Sequence, residues 1–241
     1  MIEHQRDAWL SEVTGMACHR HAGGGSDDAA IQALAEAGDG FHFAKLGPSD
    51  VAALRAYQRA GFYLVDTNVV FAAAAPAQAV PVGGPSALAT PADHDSACEL
   101  AGRAFSFSRF HLDPLFPDAL ADRIKAEWVR SYCKGRRGDA LFVTRAGGRV
   151  TGFLAAMLTQ AGTAKAALID LIAVDAASRR SGAARTLIGA FRAHYAGRVA
   201  ELRVGTQLAN PASIALYQAC GFGLAEASYT LHAHRRDGVC L

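Results

Sequence analysis

The residue types that could do chemistry gather in the last third of this 241-residue chain. Arg179, Arg180, Ser181, Gly182, Ala183 and Ala184 form a basic loop of small residues, R-x-x-G-x-A, ahead of a segment with helical apolar spacing. Small residues let a backbone approach an anion closely. Successive free N–H groups at a helix N-terminus can cradle a pyrophosphate, and guanidinium groups add charge. The same residues equally fit ordinary capping beside solvated cations. Downstream, Asn210 and Ser213 open another helix that carries Tyr217. Asn210 is complete as an N-cap, and Tyr217 is complete as core packing beside Ile214 and Phe222, although neither use bars a second one.

The elements that must hold these residues can be read around them. Ala167 to Asp175 (A-L-I-D-L-I-A-V-D) reads as a mostly buried strand, Ala176 to Ile188 as a turn entering a helix, and Glu201 to Thr206 as a short alternating strand. The helix after Asn210 has Pro211 at its first position and Gly221 placed to close it.

Strand, R-R-S-G-A-A, strand and N-P-A-S-I-A-L-Y-Q-A-C-G-F together resemble the GCN5-related N-acetyltransferase (GNAT) superfamily. The resemblance implies an α/β fold of mixed sheet, acetyl-CoA as co-substrate and no metal. It implies coenzyme contacts from Leu171, Ile172, Ala173, Val174, the loop Arg179 to Ala184, Asn210 and Ser213. Two splayed parallel strands would admit the pantetheine arm, and a backbone N–H at a bulge near Leu171 to Val174 would polarise the acetyl carbonyl. Tyr217 matches the tyrosine that protonates the departing thiolate. A phenol of pKa about 10 is suited to that transfer.

Composition bounds the rest. A net charge of +2 gives no concentrated cationic surface for nucleic acid. Five scattered cysteines without C-x-x-C spacing suggest reduced thiols in a cytoplasmic protein. The charged start lacks the apolar core of a signal peptide, and no apolar run is long enough to span a bilayer, so no membrane insertion is expected. His19/His21 and His232/His234 alternate on expected strands without further ligand spacing, which favours strand histidines over zinc. Cys220, beside a helix-ending glycine, reads as a small buried side chain, and no G-x-S-x-G elbow occurs.

The first 75 residues read as a smaller unit: a bend into a strand over Asp7 to Arg20, a turn at Gly23 to Ser26, helices near Asp28 to Ala37 and Pro48 to Ala60, and a strand at Phe41 to Leu46. Y-Q-R-A-G-F (Tyr57 to Phe62) echoes Y-Q-A-C-G-F (Tyr217 to Phe222), as in a duplicated helix–glycine–strand unit. The first copy has no R-x-x-G-x-A loop, so residues 1–75 are expected to be a degenerate GNAT-like half-domain that binds no coenzyme, with Tyr57 as packing. Residues 76–86, rich in Ala, Pro and Gly, read as a linker, and 87–241 as the catalytic domain.

That second part opens with a helix over Thr90 to Phe105, the aromatic, basic stretch Ser106 to Pro117, a helix over Asp118 to Tyr132, and a hairpin turning at Ala146 to Gly148. In the acetyltransferase fold the stretch between those helices borders the acceptor, which implies Phe107, Arg109, Phe110 and His111 as substrate residues, with Asp170 beside them. Packing of the aromatics under the domain is the alternative. The whole pattern resembles the branch of the superfamily that acetylates dTDP-4-amino-4,6-dideoxy sugars. The implied partner is a nucleotide-activated amino sugar used in surface polysaccharide synthesis, with Arg109 facing its diphosphate and a homodimer left open. Other amines (a peptide N-terminus, a polyamine) and a non-catalytic acyl-CoA-binding module are the rival functions. The expected mechanism is direct attack by a neutral amine, with proximity dominant. Asp170, His111 and Asp113 are the polar candidates for a base, and a water chain is preferred over them.

Overall fold

A computed structural model of the chain describes residues 2–23, 26–79 and 83–241, so positions 24–25 of the N-terminal turn and 80–82 of the linker lie outside the described residues. In chain order the strands and helices are β1 (Glu3–Arg6), α1 (Ala8–Thr14), β2 (Cys18–Ala22), α2 (Asp27–Ala37), β3 (Gly40–Leu46), α3 (Val51–Arg59), β4 (Tyr63–Ala74), β5 (Ala87–Leu88), α4 (His94–Ala104), α5 (Asp118–Cys133), β6 (Ala140–Ala146), β7 (Arg149–Ala161), β8 (Ala164–Val174), α6 (Ala183–Tyr195), β9 (Glu201–Gln207), α7 (Pro211–Ala219), β10 (Gly223–Arg236) and β11 (Val239–Cys240). Where a bend is expected over Asp7 to Arg20, the chain instead makes α1. Asp7 caps Leu10 N–H at 2.9 Å, and Gly15 closes the helix at φ 74°.

The strands form one mixed sheet in the order β1-β2-β3-β10-β4-β9-β8-β7-β6-β5, with β11 paired to β10. The centre of the sheet is exchanged between the two ends of the chain. β10 lies between β3 and β4, and β4 lies between β10 and β9. The repeated hexapeptides build the same joint twice: Phe62 N–H bonds Tyr57 O and Phe222 N–H bonds Tyr217 O, each at 3.0 Å. Asp50 caps α3 at Ala53 N–H (3.0 Å) as Asn210 caps α7 at Ser213 N–H (3.1 Å).

Alternation along the strands feeds two cores. Phe142, Leu154 and Ile169 join Leu187, Ile188 and Phe191 of α6 on one face. Leu141, Phe153 and Leu171 join Leu100 of α4 and Val129 of α5 on the other. Along β8 the period slips between Ile169 and Leu171, because Ala156 faces Ile169 while the preceding Ala155 faces Leu171. Asp170 is the extra residue of a β-bulge, and beyond it Ile172 and Val174 turn to the α6 side. In the N-terminal part, α2 and α3 pack on Ala44, Leu46, Leu231 and Ala233, and Leu10, Phe41 and Phe43 meet Phe110, Phe116 and Ile124. Among the described residues no helix is long and apolar enough to cross a membrane.

Candidate active site

The site begins where two strands part. β8 and β9 pair in parallel only from Ala166/Glu201 to Ile169/Val204, although β8 continues to Val174 and β9 to Gln207. The bulge at Asp170 coincides with the point of divergence. It lies one residue before the expected stretch, because the Asp170 carboxylate is drawn toward α5, as described below. Into the fork opens a cavity of about 710 Å³, lined by Asp170, Leu171, Ile172, Ala173 and Val174 on one side and by Val204, Gly205, Thr206 and Gln207 on the other. Strand edges that diverge present N–H and C=O groups to an extended ligand in place of each other.

Arg179, Arg180, Gly182, Ala183 and Ala184 form one end of this cavity. Ser181 does not line it; its hydroxyl donates to Ser178 O at 2.7 Å and shapes the loop. Gly182 has φ 89°, and a Cβ built there meets nothing within 4 Å, so the glycine serves both the left-handed turn and an open approach to the helix. No side chain caps α6, whose first three N–H groups face this end while Thr186 N–H is the first to bond back, to Gly182 O at 3.0 Å. Uncapped N–H groups, the helix dipole and exposed Arg179 and Arg180 fit a pyrophosphate. The residues present therefore suit the coenzyme that the fold implies.

Asn210, Ser213 and Tyr217 line the same cavity from α7. Tyr217 is 3% exposed, and its ring lies 6.2 Å from Phe71 and 6.4 Å from Phe222 between centroids. Packing and access to the cavity are thus combined in one side chain. Burial pushes its phenol pKa upward, with Ser213 one turn earlier pulling weakly the other way. A phenol so held keeps its proton until a stronger base arrives, which is the property a general acid needs.

At the other end, Phe105, Phe107, Ser108 and Lys125 meet Asp170. The Asp170 carboxylate accepts from Trp128 Nε1 (2.8 Å), Tyr132 OH (2.7 Å) and both Nε (2.7 Å) and Nη2 (3.2 Å) of Arg137. Burial works against its charge, but Arg137 and the two other donors outweigh it and hold the carboxyl below its ordinary range. Asp170 therefore faces the cleft as a fixed anion, poorly suited to take a proton. Lys125 is enclosed by aromatic faces, with Nζ 5.1 Å from the Phe105 ring centroid and 4.9 Å from that of Trp128. Burial, helped by Arg109, pulls its pKa down to about 8 against the opposing charge of Asp170. Lys125 carries no signal as a motif. Its one trace in the sequence is a lysine on the stripe that Trp128 and Val129 continue.

Three of the expected substrate residues are not at the cleft. Phe110 is 1% exposed, inside the cluster with Phe41 and Phe116. Arg109 stacks over Phe43 (4.0 Å) and Phe110 (4.5 Å), and its Nη1 lies 3.5 Å from His232 Nε2. His111 sits behind Ser108, bonded to it at 2.6 Å and to Asp122 at 3.1 Å. The reason is packing: fully burying an aromatic ring is worth about 1.5–3 kcal/mol, and β3 offers the apolar face to do it. Asp113 is also remote from the cleft. Its Oδ2 accepts from His232 Nδ1 (2.7 Å) and His234 Nε2 (2.9 Å), and Oδ1 from Tyr63 OH (2.7 Å). Burial opposes the Asp113 charge, yet these donors hold its carboxyl well below the usual range. The histidine pair thus serves a buried carboxylate. Among the described residues no group of three or more His, Cys, Asp or Glu is arranged to hold a metal ion.

Comparison with known proteins agrees with this geometry. The Acetyltransferase (GNAT) family matches residues 98–222, more than half of the chain. The dTDP-fucosamine acetyltransferase of Escherichia coli is 28% identical over 190 residues, 78% of this chain and 80% of that protein. The spore coat polysaccharide biosynthesis protein SpsD of Bacillus subtilis is 29% identical over 143 residues, 59% of this chain and 48% of that protein. A solved GCN5-related N-acetyltransferase from Sphaerobacter thermophilus shares the fold with TM-score 0.62 at 15% identity, over 100% of this chain and 78% of its own. With a forked parallel pair, an uncapped helix behind Gly182 and a family match across both, the chain belongs to the GNAT family and is an acetyl-transferring enzyme.

Proposed function

We propose that the enzyme transfers an acetyl group from acetyl-CoA to the 4-amino group of a dTDP-linked amino-dideoxy sugar, in the cytoplasm, for a surface polysaccharide. The observation that carries this reading is one continuous cleft with the uncapped end of α6 beside Arg179 and Arg180 on one side and Lys125 among aromatic side chains on the other. The two relatives named for amino-sugar and polysaccharide synthesis support the acceptor class.

Arg179, Arg180 and the first N–H groups of α6 hold the coenzyme pyrophosphate, with Asn210 and Ser213 beside its arm. When bound, acetyl-CoA supplies an activated thioester. A backbone N–H near Leu171 to Val174, on the edge of β8 that turns away from β7, polarises its carbonyl. Tyr217 gives its proton to the leaving sulfur. Phe107 offers a face for a sugar or base. Lys125, rather than Arg109, meets the acceptor diphosphate, an anion that restores the charge burial disfavours. Asp170 orients Arg137, Trp128 and Tyr132 around the amine end. Catalysis rests mainly on holding the two reactants in line, without an acyl-enzyme. We also propose that residues 1–75 are a degenerate half that binds no coenzyme: Asp50 stands where Asn210 stands, and the preceding helix α2 is capped by the Ser26 side chain.

The test is thiol release from acetyl-CoA by purified protein against dTDP-amino sugars, free amino sugars, polyamines and short peptides. Turnover confined to a dTDP-4-amino sugar is expected. Turnover only on a peptide or polyamine refutes the acceptor, and failure to bind acetyl-CoA refutes the coenzyme assignment.

A further inference from the structure

Acetylation of an ammonium removes two N–H protons: one leaves on the thiol, and the other must reach solvent. Asp170, the carboxylate among the residues that line this cleft, is already committed to Trp128, Tyr132 and Arg137. Lys125, with its pKa pulled to about 8, is mostly a cation at neutral pH. Neither is a ready acceptor for that second proton.

Ser108 is different. It lines the cleft yet is only 5% exposed, and its Oγ lies 2.6 Å from His111 Nδ1. His111 Nε2 lies 3.1 Å from Asp122 Oδ1. The imidazole is 7% exposed by side chain and Asp122 40%, so the three groups run from the cleft, through a buried ring, to water. A carboxylate can only accept, so Nε2 carries the hydrogen and the lone pair of Nδ1 faces the serine hydroxyl. The other charged groups of this loop are engaged elsewhere, Arg109 over Phe43 and Asp113 with His232 and His234. On α5, Lys125 follows Asp122 by one turn and faces the cleft.

We propose that Ser108, His111 and Asp122 are a proton relay that deprotonates the acceptor amine and delivers the proton to solvent. Ser108 is the catalytic residue, touching the amine directly or through one water. His111 and Asp122 act through it as positioning residues. As the ammonium gives a proton to Ser108 Oγ, the serine's own proton passes to His111 Nδ1. The imidazolium, paired with Asp122, then releases a proton to water. The neutral amine forms the C–N bond as the C–S bond breaks; Tyr217 protonates the sulfur and regains a proton from the acylated nitrogen as that becomes the amide. The reaction thus releases one proton per turnover and needs no further reactant. The relay takes the place of the water chain expected from sequence, and it rests on the acetyl-transfer reading above.

Two measurements on the full chain test it. Long-range proton–nitrogen NMR of His111, assigned by its loss in His111→Gln, should show the Nε2–H tautomer, and Asp122→Asn should disturb that tautomer; a resting Nδ1–H form overturns the relay whatever the activity. In kinetics, Ser108→Ala should lower kcat on the amino sugar by about 10- to 100-fold at neutral pH, the low end of general-base effects. Its acetyl-CoA Kd should be unchanged, the deficit should shrink as rising pH deprotonates the amine directly, and Ser108→Thr should restore turnover. Wild-type kcat and pH profile in Ser108→Ala overturn the relay alone. A wild-type enzyme that acetylates no amine overturns the acceptor proposal instead, and the tautomer then decides the relay.

Discussion

Tyr217→Phe separates catalysis from packing at a residue whose structure serves both. The ring keeps its place 6.2 Å from Phe71 and 6.4 Å from Phe222, and only the hydroxyl near Ser213 is lost. Even a full hydrogen bond contributes only about 0.5–1.5 kcal/mol, so the variant should melt within a few degrees of the wild type. Thiolates leave more readily than amines, so proton donation is worth less here than in peptide chemistry. A fall in kcat of about one to three orders of magnitude is expected, or about 1.4–4 kcal/mol of barrier. The assay is thiol release at saturating acetyl-CoA, with coenzyme Kd measured separately and expected to be unchanged. Tyr217→Ala is the control: emptying the space of a buried aromatic costs about 3–5 kcal/mol of stability, so it should fail by unfolding. Unchanged turnover in Tyr217→Phe refutes the general-acid role and leaves Tyr217 as core.

Gly182→Glu puts a side chain at φ 89° and a negative charge at the uncapped end of α6, so acetyl-CoA affinity should fall by at least about tenfold (~1.4 kcal/mol), read by calorimetry; retained affinity refutes the phosphate site. Asp113→Asn should cost about 1.5–3 kcal/mol, seen as a lower Tm, because His232, His234 and Tyr63 lose a charged acceptor. Since the Asp113 pKa is depressed by folding, its contribution is full above the unfolded value of about 3.9 and is lost as pH falls below it. Wild type should therefore lose stability on acidification below about pH 4 more steeply than Asp113→Asn. Lys125→Met should raise Tm at pH 7 by removing a buried cation, and the gain should fade as pH rises from about 8 through 10.4, where the wild-type lysine is neutral in both states. The same variant should raise KM for a dTDP-amino sugar more than for acetyl-CoA.

Much of this site is local in sequence, and that part was legible. The R-x-x-G-x-A loop, the Asn210 cap and the helix stop at Gly221 are contiguous signals, and the structure forms them at the expected positions. The helix α5 follows from apolar period, and the hairpin of β6 and β7 from two apolar strands joined by the turn at Ala146 to Gly148. What depends on distant partners was not legible. Alpha-helix α1 has its cap and its glycine, but seven residues are too few to show a period. The bulge falls on Asp170 because Trp128, Tyr132 and Arg137 draw that carboxylate, and they come from 33 to 42 positions away. Aromatic residues at 107 and 110 look equivalent in sequence. The structure sends Phe107 to the cleft and Phe110 under β3, a choice made by a face that only the folded N-terminal part provides.

The exchange of β4 and β10 has a consequence for synthesis on the ribosome. Both lateral partners of β4 are encoded late: its residues 63–74 emerge early, yet β9 and β10 begin at Glu201 and Gly223. At elongation rates of about 5–20 residues per second, β4 waits on the order of ten seconds for a neighbour on either edge. During that time Val69 and Phe71, later buried, are carried on a strand with two open edges, the kind of surface that recruits other nascent chains. The next strand in the chain, β5, pairs with β6, so β4 stays open until the end of the chain arrives to close the middle of the sheet.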